Sequence, residues 1–170
     1  ERGGEPIDGF DLGNSPGQYA GRSVAGKRIV FTTSHGTQAI EACRHASRVF
    51  IASFANLNAV VRTLAQTEGA VHLVCAGTDR RPSLEDSLCA AVIAGRLREC
   101  HALATWTDDT TQMLLELYRS RHWSDEAERA RLLRAGRGGQ RLIDLGCAAD
   151  IAWAAEMDTA TVVPELEQHT

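Results

Sequence analysis

Apolar positions change period three times in the first hundred residues. Continuous, β-branched runs at 27–32, 48–54 and 70–75 read as buried strands. Each is followed by apolar residues at three- and four-residue spacing, the mark of an amphipathic helix. The first helix runs from Thr37 through Ala39, Ile40, Cys43 and Ala46. The second covers 56–67 with Leu57, Val60, Val61 and Leu64 on one face. The third covers 83–95 with Leu84, Leu88, Ala91 and Val92. Residues 1–26 are rich in Gly, Asp, Asn, Ser and Pro and read as an irregular lead-in. After residue 105 the pattern turns mainly helical, with helices expected over 108–118, 124–133 and 142–156. A basic, glycine-rich stretch at 134–141 reads as a solvent-facing turn, with contact to phosphate as the alternative, Val162 and Val163 read as a short edge strand ended by Pro164, and 165–170 as a frayed tail.

Three strand–helix units in a row predict an α/β fold, three-layer α/β/α with a mostly parallel or mixed sheet. One domain over 1–170 is expected: lead-in 1–26, strand–helix core 27–105, and a mainly helical part 106–170. In such sheets ligands collect at the carboxyl ends of strands. Two polar segments lie at such ends. Residues 31–37 read Phe-Thr-Thr-Ser-His-Gly-Thr, and residues 75–86 read Cys-Ala-Gly-Thr-Asp-Arg-Arg-Pro-Ser-Leu-Glu-Asp. A third, Asp-Leu-Gly-Asn-Ser-Pro at 11–16, has the same character.

Small hydroxyls beside glycine at a helix start suit an anion. Thr32, Thr33, His35, Gly36 and Thr37 are therefore candidate substrate-binding residues, as are Asn14 and Ser15. The same residues also serve as ordinary caps and turns. Asp79, Glu85 and Asp86 are candidate catalytic carboxylates. Glu85 and Asp86 are the candidate ligands for Mg²⁺, whose hard oxygen chemistry they match. Arg80 and Arg81 add two guanidiniums able to clamp a second anion. Cys75 has a weaker claim as a nucleophile, since a strand-end thiol is by default structural. There is no phosphate-loop lysine motif, no dinucleotide glycine fingerprint and no HExxH.

The net charge of -4 and an aromatic content of 5% argue against nucleic acid as a partner. No apolar run approaches the ~20 residues that span a bilayer, so no membrane partner is expected. Five dispersed cysteines without CxxC spacing fit free thiols in a reducing, cytoplasmic setting.

Several blocks together resemble the 2-phosphosulfolactate phosphatase family, the ComB-like proteins of coenzyme M biosynthesis. They are Glu-Arg-Gly-Gly at 1–4, Gly-Phe-Asp-Leu-Gly-Asn-Ser-Pro at 9–16, and Thr32-Thr33 with Gly36-Thr37. The order continues with Phe-Ala-Asn at 54–56, Cys-Ala-Gly at 75–77, Ser-Leu-Glu-Asp at 83–86, Asp150, and Val163-Pro164. The resemblance implies a Mg²⁺-dependent phosphatase that hydrolyses 2-phosphosulfolactate or a similar small phosphorylated hydroxyacid to alcohol and phosphate, with a small phosphorylated or sulfonated acid as its partner. It implies Asn14, Ser15, Thr33, Gly36, Thr37, Glu85 and Asp86 as site residues. It also implies a further N-terminal segment with an Asp-Val-Leu-Arg-Ala-Thr-like block, which this sequence lacks. The chain is accordingly expected to be N-terminally incomplete, or else to work with further copies as a homo-oligomer. His35 stands where asparagine is common in that family, and Arg80-Arg81 replaces a more glycine-containing turn. A non-catalytic small-anion-binding or assembly protein on the same scaffold is the alternative.

Overall fold

The computed structural model describes residues 1–19, 24–100 and 108–167. The expected boundary at 105, His101, part of the lead-in and the last three residues of the tail lie outside these. Seven helices are described: α1 (Gly36–Ala42), α2 (Leu57–Ala65), α3 (Leu84–Glu99), α4 (Asp109–Arg119), α5 (Glu126–Ala135), α6 (Arg137–Asp144) and α7 (Asp150–Ala155). Two 3-10 turns, at Pro16–Gln18 and Phe54–Asn56, complete the regular structure.

The three-layer α/β/α expectation fails. Among the described residues there is no β-sheet, only isolated bridges pairing Arg2 with Glu5, Phe50 with Glu165, and Thr78 with Arg81. The runs at 27–32, 48–54 and 70–75 form no ladder with one another. Strand propensity measures fit to a pleated, half-buried surface, and an apolar run becomes a strand only where another backbone lies alongside. Here Ile29, Val30, Phe31 and Val74 stand half or more exposed. The second run meets the chain's late extended segment instead. Ile51 N–H donates to Pro164 O at 2.9 Å and Leu166 N–H to Val49 O at 2.9 Å. The expected edge strand at 162–164 is thus reduced to a bridge one residue later, at Glu165, whose carboxylate also accepts from Arg48 Nε and Nη2 at 2.7 and 2.9 Å.

Helix α3 is the centre of the core. From Leu88 to Leu97 it is buried on nearly every side, with Ala91, Val92 and Leu97 among its fully enclosed residues. A helix that is apolar all round belongs inside a domain rather than on its surface. Helix α2 packs Leu57, Val60 and Val61 on this core; α5 adds Leu132 and Leu133, and α7 adds Ile151 and Ala155. Helix α4 comes close enough that a Cβ on Gly95 would enter the Tyr118 ring. That ring stacks on Trp123 with centroids 6.1 Å apart. Side-chain caps start three helices, as their sequences dictate. Ser83 accepts from Asp86 N–H, Asp108 from Thr111 N–H, and Asp125 from the N–H groups of Ala127 and Glu128.

Two expected boundaries move. The stretch 134–141, read as a flexible turn, lies within α5 and α6, and the single helix over 142–156 is divided between α6 and α7. The break falls at Gly146, whose φ of +74° no helix interior contains.

Two buried polar residues fasten irregular chain to this core. Asn56 donates to Ile51 O at 3.0 Å and Val162 O at 3.1 Å, while its carbonyl accepts from Ser53 N–H at 2.9 Å. Arg129 donates to Ala155 O at 2.8 Å and also to Trp123 O. Replacing Arg129 with methionine keeps much of the volume but strands both carbonyls. Urea denaturation of R129M should show a loss of about 2–4 kcal/mol.

Candidate functional site

The start of α3 organises the site. Ser83 opens the helix, and the next two acidic residues leave it in different directions. Glu85 accepts from Ser83 Oγ–H at 2.7 Å and from Gly139 N–H, in the first turn of α6, at 3.2 Å. Asp86 turns back to accept from Gly77 N–H at 2.7 Å. Gly77 has φ +71°, and a Cβ there would lie 2.6 Å from Arg81 O, so the loop requires glycine at this position. Between them, Thr78 and Arg81 exchange two backbone hydrogen bonds of 3.0 Å across Asp79 and Arg80. Both central residues have positive φ, 51° and 59°, as in the tight turns of hairpins. This presents the Asp79 carboxylate and the Arg80 and Arg81 side chains outward, all exposed.

The loop before α1 reaches the same place through His35. Asp79 N–H donates to His35 Nε2 at 3.2 Å, and Asp79 Oδ1 lies 3.4 Å from that nitrogen. The second carboxylate oxygen, Oδ2, accepts from Arg137 Nη2 at 3.4 Å. Asp79 therefore joins the loop at 33–37 to the start of α6. The other loop groups turn inward. Thr33 Oγ1 accepts from Gly36 N–H at 2.9 Å and Thr37 N–H at 3.4 Å, and Thr37 Oγ1–H donates to Thr33 O at 3.1 Å. Here the capping role of these hydroxyls is realised. Thr32 accepts from Arg2 at 3.1 Å. Glu1 accepts from Ser34 N–H at 2.9 Å and from Gly4 N–H. Burial pushes the Glu1 carboxyl up, but the two backbone donors and the Ser34 hydroxyl outweigh it and hold it below its usual range.

Of the sequence candidates, His35, Gly36, Thr37, Thr33 and Thr32 share one loop, and Asp79, Arg80, Arg81, Glu85 and Asp86 share the neighbouring one. Asn14 and Ser15 do not join them by any hydrogen bond among the described residues. Ser15 donates instead to Asp150 on α7 at 2.7 Å, and Asn14 is exposed. Sequence reasoning weighed the basic stretch 134–141 as a phosphate contact and favoured a solvent-facing turn; it missed the packing role of the glycines beside Arg137. Gly136 and Gly139 are buried, and a Cβ on Gly138 would come 2.6 Å from Glu85 Oε1. The spacing Gly136-x-Gly138-Gly139 was the available signal, since small residues in series mark close approach rather than flexibility.

A metal fits this arrangement poorly. Glu85 and Asp86 diverge, each satisfied by N–H or O–H donors, and no group of three or more His, Cys, Asp or Glu side chains among the described residues is able to hold a metal ion. Cys75 also fits its nucleophilic role poorly. Partial burial of its thiol and then the Asp86 carboxylate push its pKa up, away from the thiolate form. A mostly apolar groove of about 430 Å³, with Gly36, Cys75 and Asp86 among its lining residues, runs from these loops between the extended segments and α1–α3.

The arrangement is a polar surface built by two loops and the starts of α3 and α6. Comparison with known proteins makes the class specific. Residues 1–169 match the family model described as 2-phosphosulpholactate phosphatase. Proteins named "Probable 2-phosphosulfolactate phosphatase" in Deinococcus radiodurans and Symbiobacterium thermophilum are 40% and 39% identical to this chain, over 98% and 93% of its length. The alignments cover 67% and 66% of those relatives. A Synechococcus protein of the same name is 40% identical over 99% of this chain and 68% of its own. The chain belongs to the 2-phosphosulfolactate phosphatase family, and it spans about two thirds of the length of these relatives. No helix among the described residues is long and apolar enough to cross a membrane.

Behind the site, Cys89 is pushed up to about 12, first by burial and then by Asp86 and Cys75. The native thiol keeps its proton between its ordinary value of 9.0 and about 12, whereas the unfolded thiol releases it. This stabilisation is therefore complete below pH 9 and is lost as pH rises through that window, by up to about 1.4 kcal/mol per pH unit. Denaturation of the wild type and C89A across pH 8–11 should show a shallower alkaline decline in the variant.

Proposed function

We propose that this chain forms the larger part of a Mg²⁺-dependent phosphatase that hydrolyses 2-phosphosulfolactate, or a similar small phosphorylated hydroxyacid, to the alcohol and phosphate. One observation carries the reading: a match to the phosphatase family along residues 1–169, in a chain whose two most polar loops meet at His35 and Asp79. Mg²⁺ enters from the family resemblance. Since the described carboxylates form no cage for it, the steps below use side chains alone.

The reaction forms a bond between a water oxygen and phosphorus and breaks the ester P–O bond. The electron pair of that bond goes to the departing alkoxide, which takes up the proton that the attacking water releases. His35 is suited to hold that departing oxygen with a hydrogen bond. Its Nε2 accepts the Asp79 N–H, which assigns the proton of the neutral ring to Nδ1. Asp79 holds the ring through this contact and so sets where the Nδ1–H points. Arg80 and Arg81, exposed beside it, neutralise charge on the phosphoryl oxygens. Glu85 and Asp86 act from the start of α3. Asp86 fixes the 77–81 loop, and Glu85 fixes α6 against it. Thr32, Thr33, Gly36 and Thr37 shape the neighbouring wall, and Asn14 and Ser15 belong to the site through the family pattern alone.

The alternative, a non-catalytic anion-binding protein on this scaffold, has one specific observation in its favour: Thr33 already occupies the amides of Gly36 and Thr37. Phosphate release from racemic 2-phosphosulfolactate, with and without Mg²⁺, separates the two. The longest product of the gene and this chain are assayed side by side. Metal-dependent release by the longer protein is expected, and H35A should lower kcat about 10²-fold or more, the usual scale for a lost hydrogen-bond donor at developing charge. Absence of release from both proteins, at any Mg²⁺ concentration, would reject the phosphatase reading.

A further inference from the structure

We propose that Arg137 forms the subsite for the substrate's second anion, the sulfonate or carboxylate that is not transferred. Its place is marked by the Asp79 carboxylate, which Arg137 contacts in the present arrangement. The inference rests on the phosphatase reading for its substrate but on separate contacts for its geometry.

Asp79 Oδ2 accepts from Arg137 Nη2 at 3.4 Å. A carboxylate thus already sits on this guanidinium, and a substrate carboxylate or sulfonate carries the same charge. The Asp79 contact is easily exchanged. It is long, and the Arg137 and Asp79 side chains are 59% and 67% exposed. Exposed pairs of this kind contribute little to stability. The Asp79 side chain can therefore swing out into water while a ligand takes its place.

Arg137, by contrast, is anchored at its backbone. It is the first residue of α6, between Gly136 and Gly138, and Glu85 fills the space that a Cβ on either glycine would occupy. Gly139 N–H completes the latch by donating to Glu85 at 3.2 Å. The guanidinium thus projects from a fixed point toward the turn that carries Asp79. Arg80 and Arg81 project from the exposed turn, and their side chains make no hydrogen bond or ion pair among the described residues. A planar fork held at its base is the usual choice for recognising an oxyanion of defined orientation.

The test is calorimetric titration of sulfolactate, which carries both anions but no phosphate, into the longest gene product and its variants. R137A should weaken binding at least tenfold, and R137K should fall between it and the wild type because it keeps the charge but loses the fork. D79N should tighten binding several-fold by removing the competing charge; asparagine tolerates the left-handed backbone at this position. In parallel, the preference for 2-phosphosulfolactate over phenyl phosphate, as a ratio of kcat/KM, should fall at least tenfold in R137A. Thermal melting verifies that R137A is folded, and R137K carries the comparison if it is not. The proposal is overturned if the wild type does not bind sulfolactate, if R137A and R137K bind like the wild type, or if D79N binds more weakly. Sulfolactate binding with this variant pattern but no phosphate release would sustain the subsite and reject the phosphatase reading. Phosphate release with Arg137-independent binding would do the reverse.

Discussion

The enclosure of α3 governs this molecule. From Leu88 to Leu97 the helix has neighbours on nearly every side, so its axis cannot shift without repacking α2, α4 and α5 together. Close-packed interiors resist such shifts because small gaps forfeit many contacts at once. Its first turn, with Ser83, Glu85 and Asp86, is thereby set as firmly as its buried centre. The two carboxylates then transmit that fixed position outward. Asp86 holds the glycine loop at 77, and Glu85 holds the start of α6. A buried helix thus becomes the reference point for an otherwise irregular surface.

The helices were largely legible in the sequence because each carries its own local evidence. Leu57, Val60 and Val61 give α2 its face; Ser83, Asp108 and Asp125 announce starts that the structure uses. The strands failed for the opposite reason. Val30 and Val74 favour extended backbone, yet pairing is a property of two segments, and no local pattern reveals whether a partner is near. Gly146 was overlooked as a helix stop, so α6 and α7 were expected to be one element.

The site was legible by composition and less so by geometry. His35 and Asp79 were singled out from different loops and do meet. Thr33 and Thr37, chosen as anion donors, serve each other as cap and brace. Glu85 and Asp86, chosen as a pair, point apart because neighbours on a helix differ by about 100° in direction. The stretch around Arg137 was ranked below the other candidates because glycines beside arginine suggest a loose coil. Only the position of Glu85 shows that they are small so that a helix start can press against a carboxylate.

The left-handed turn at Asp79 and Arg80 has a consequence for how this protein is able to diverge. Positive φ at two successive non-glycine positions excludes β-branched residues and favours Asp, Asn and Gly. Position 79 therefore draws on a short alphabet in which each change alters charge or removes the side chain altogether. A lineage drifting toward a different substrate would find few gradual steps there. Adaptation would fall more readily on positions with ordinary backbone, leaving the turn as a slow-changing landmark in a faster-changing surface.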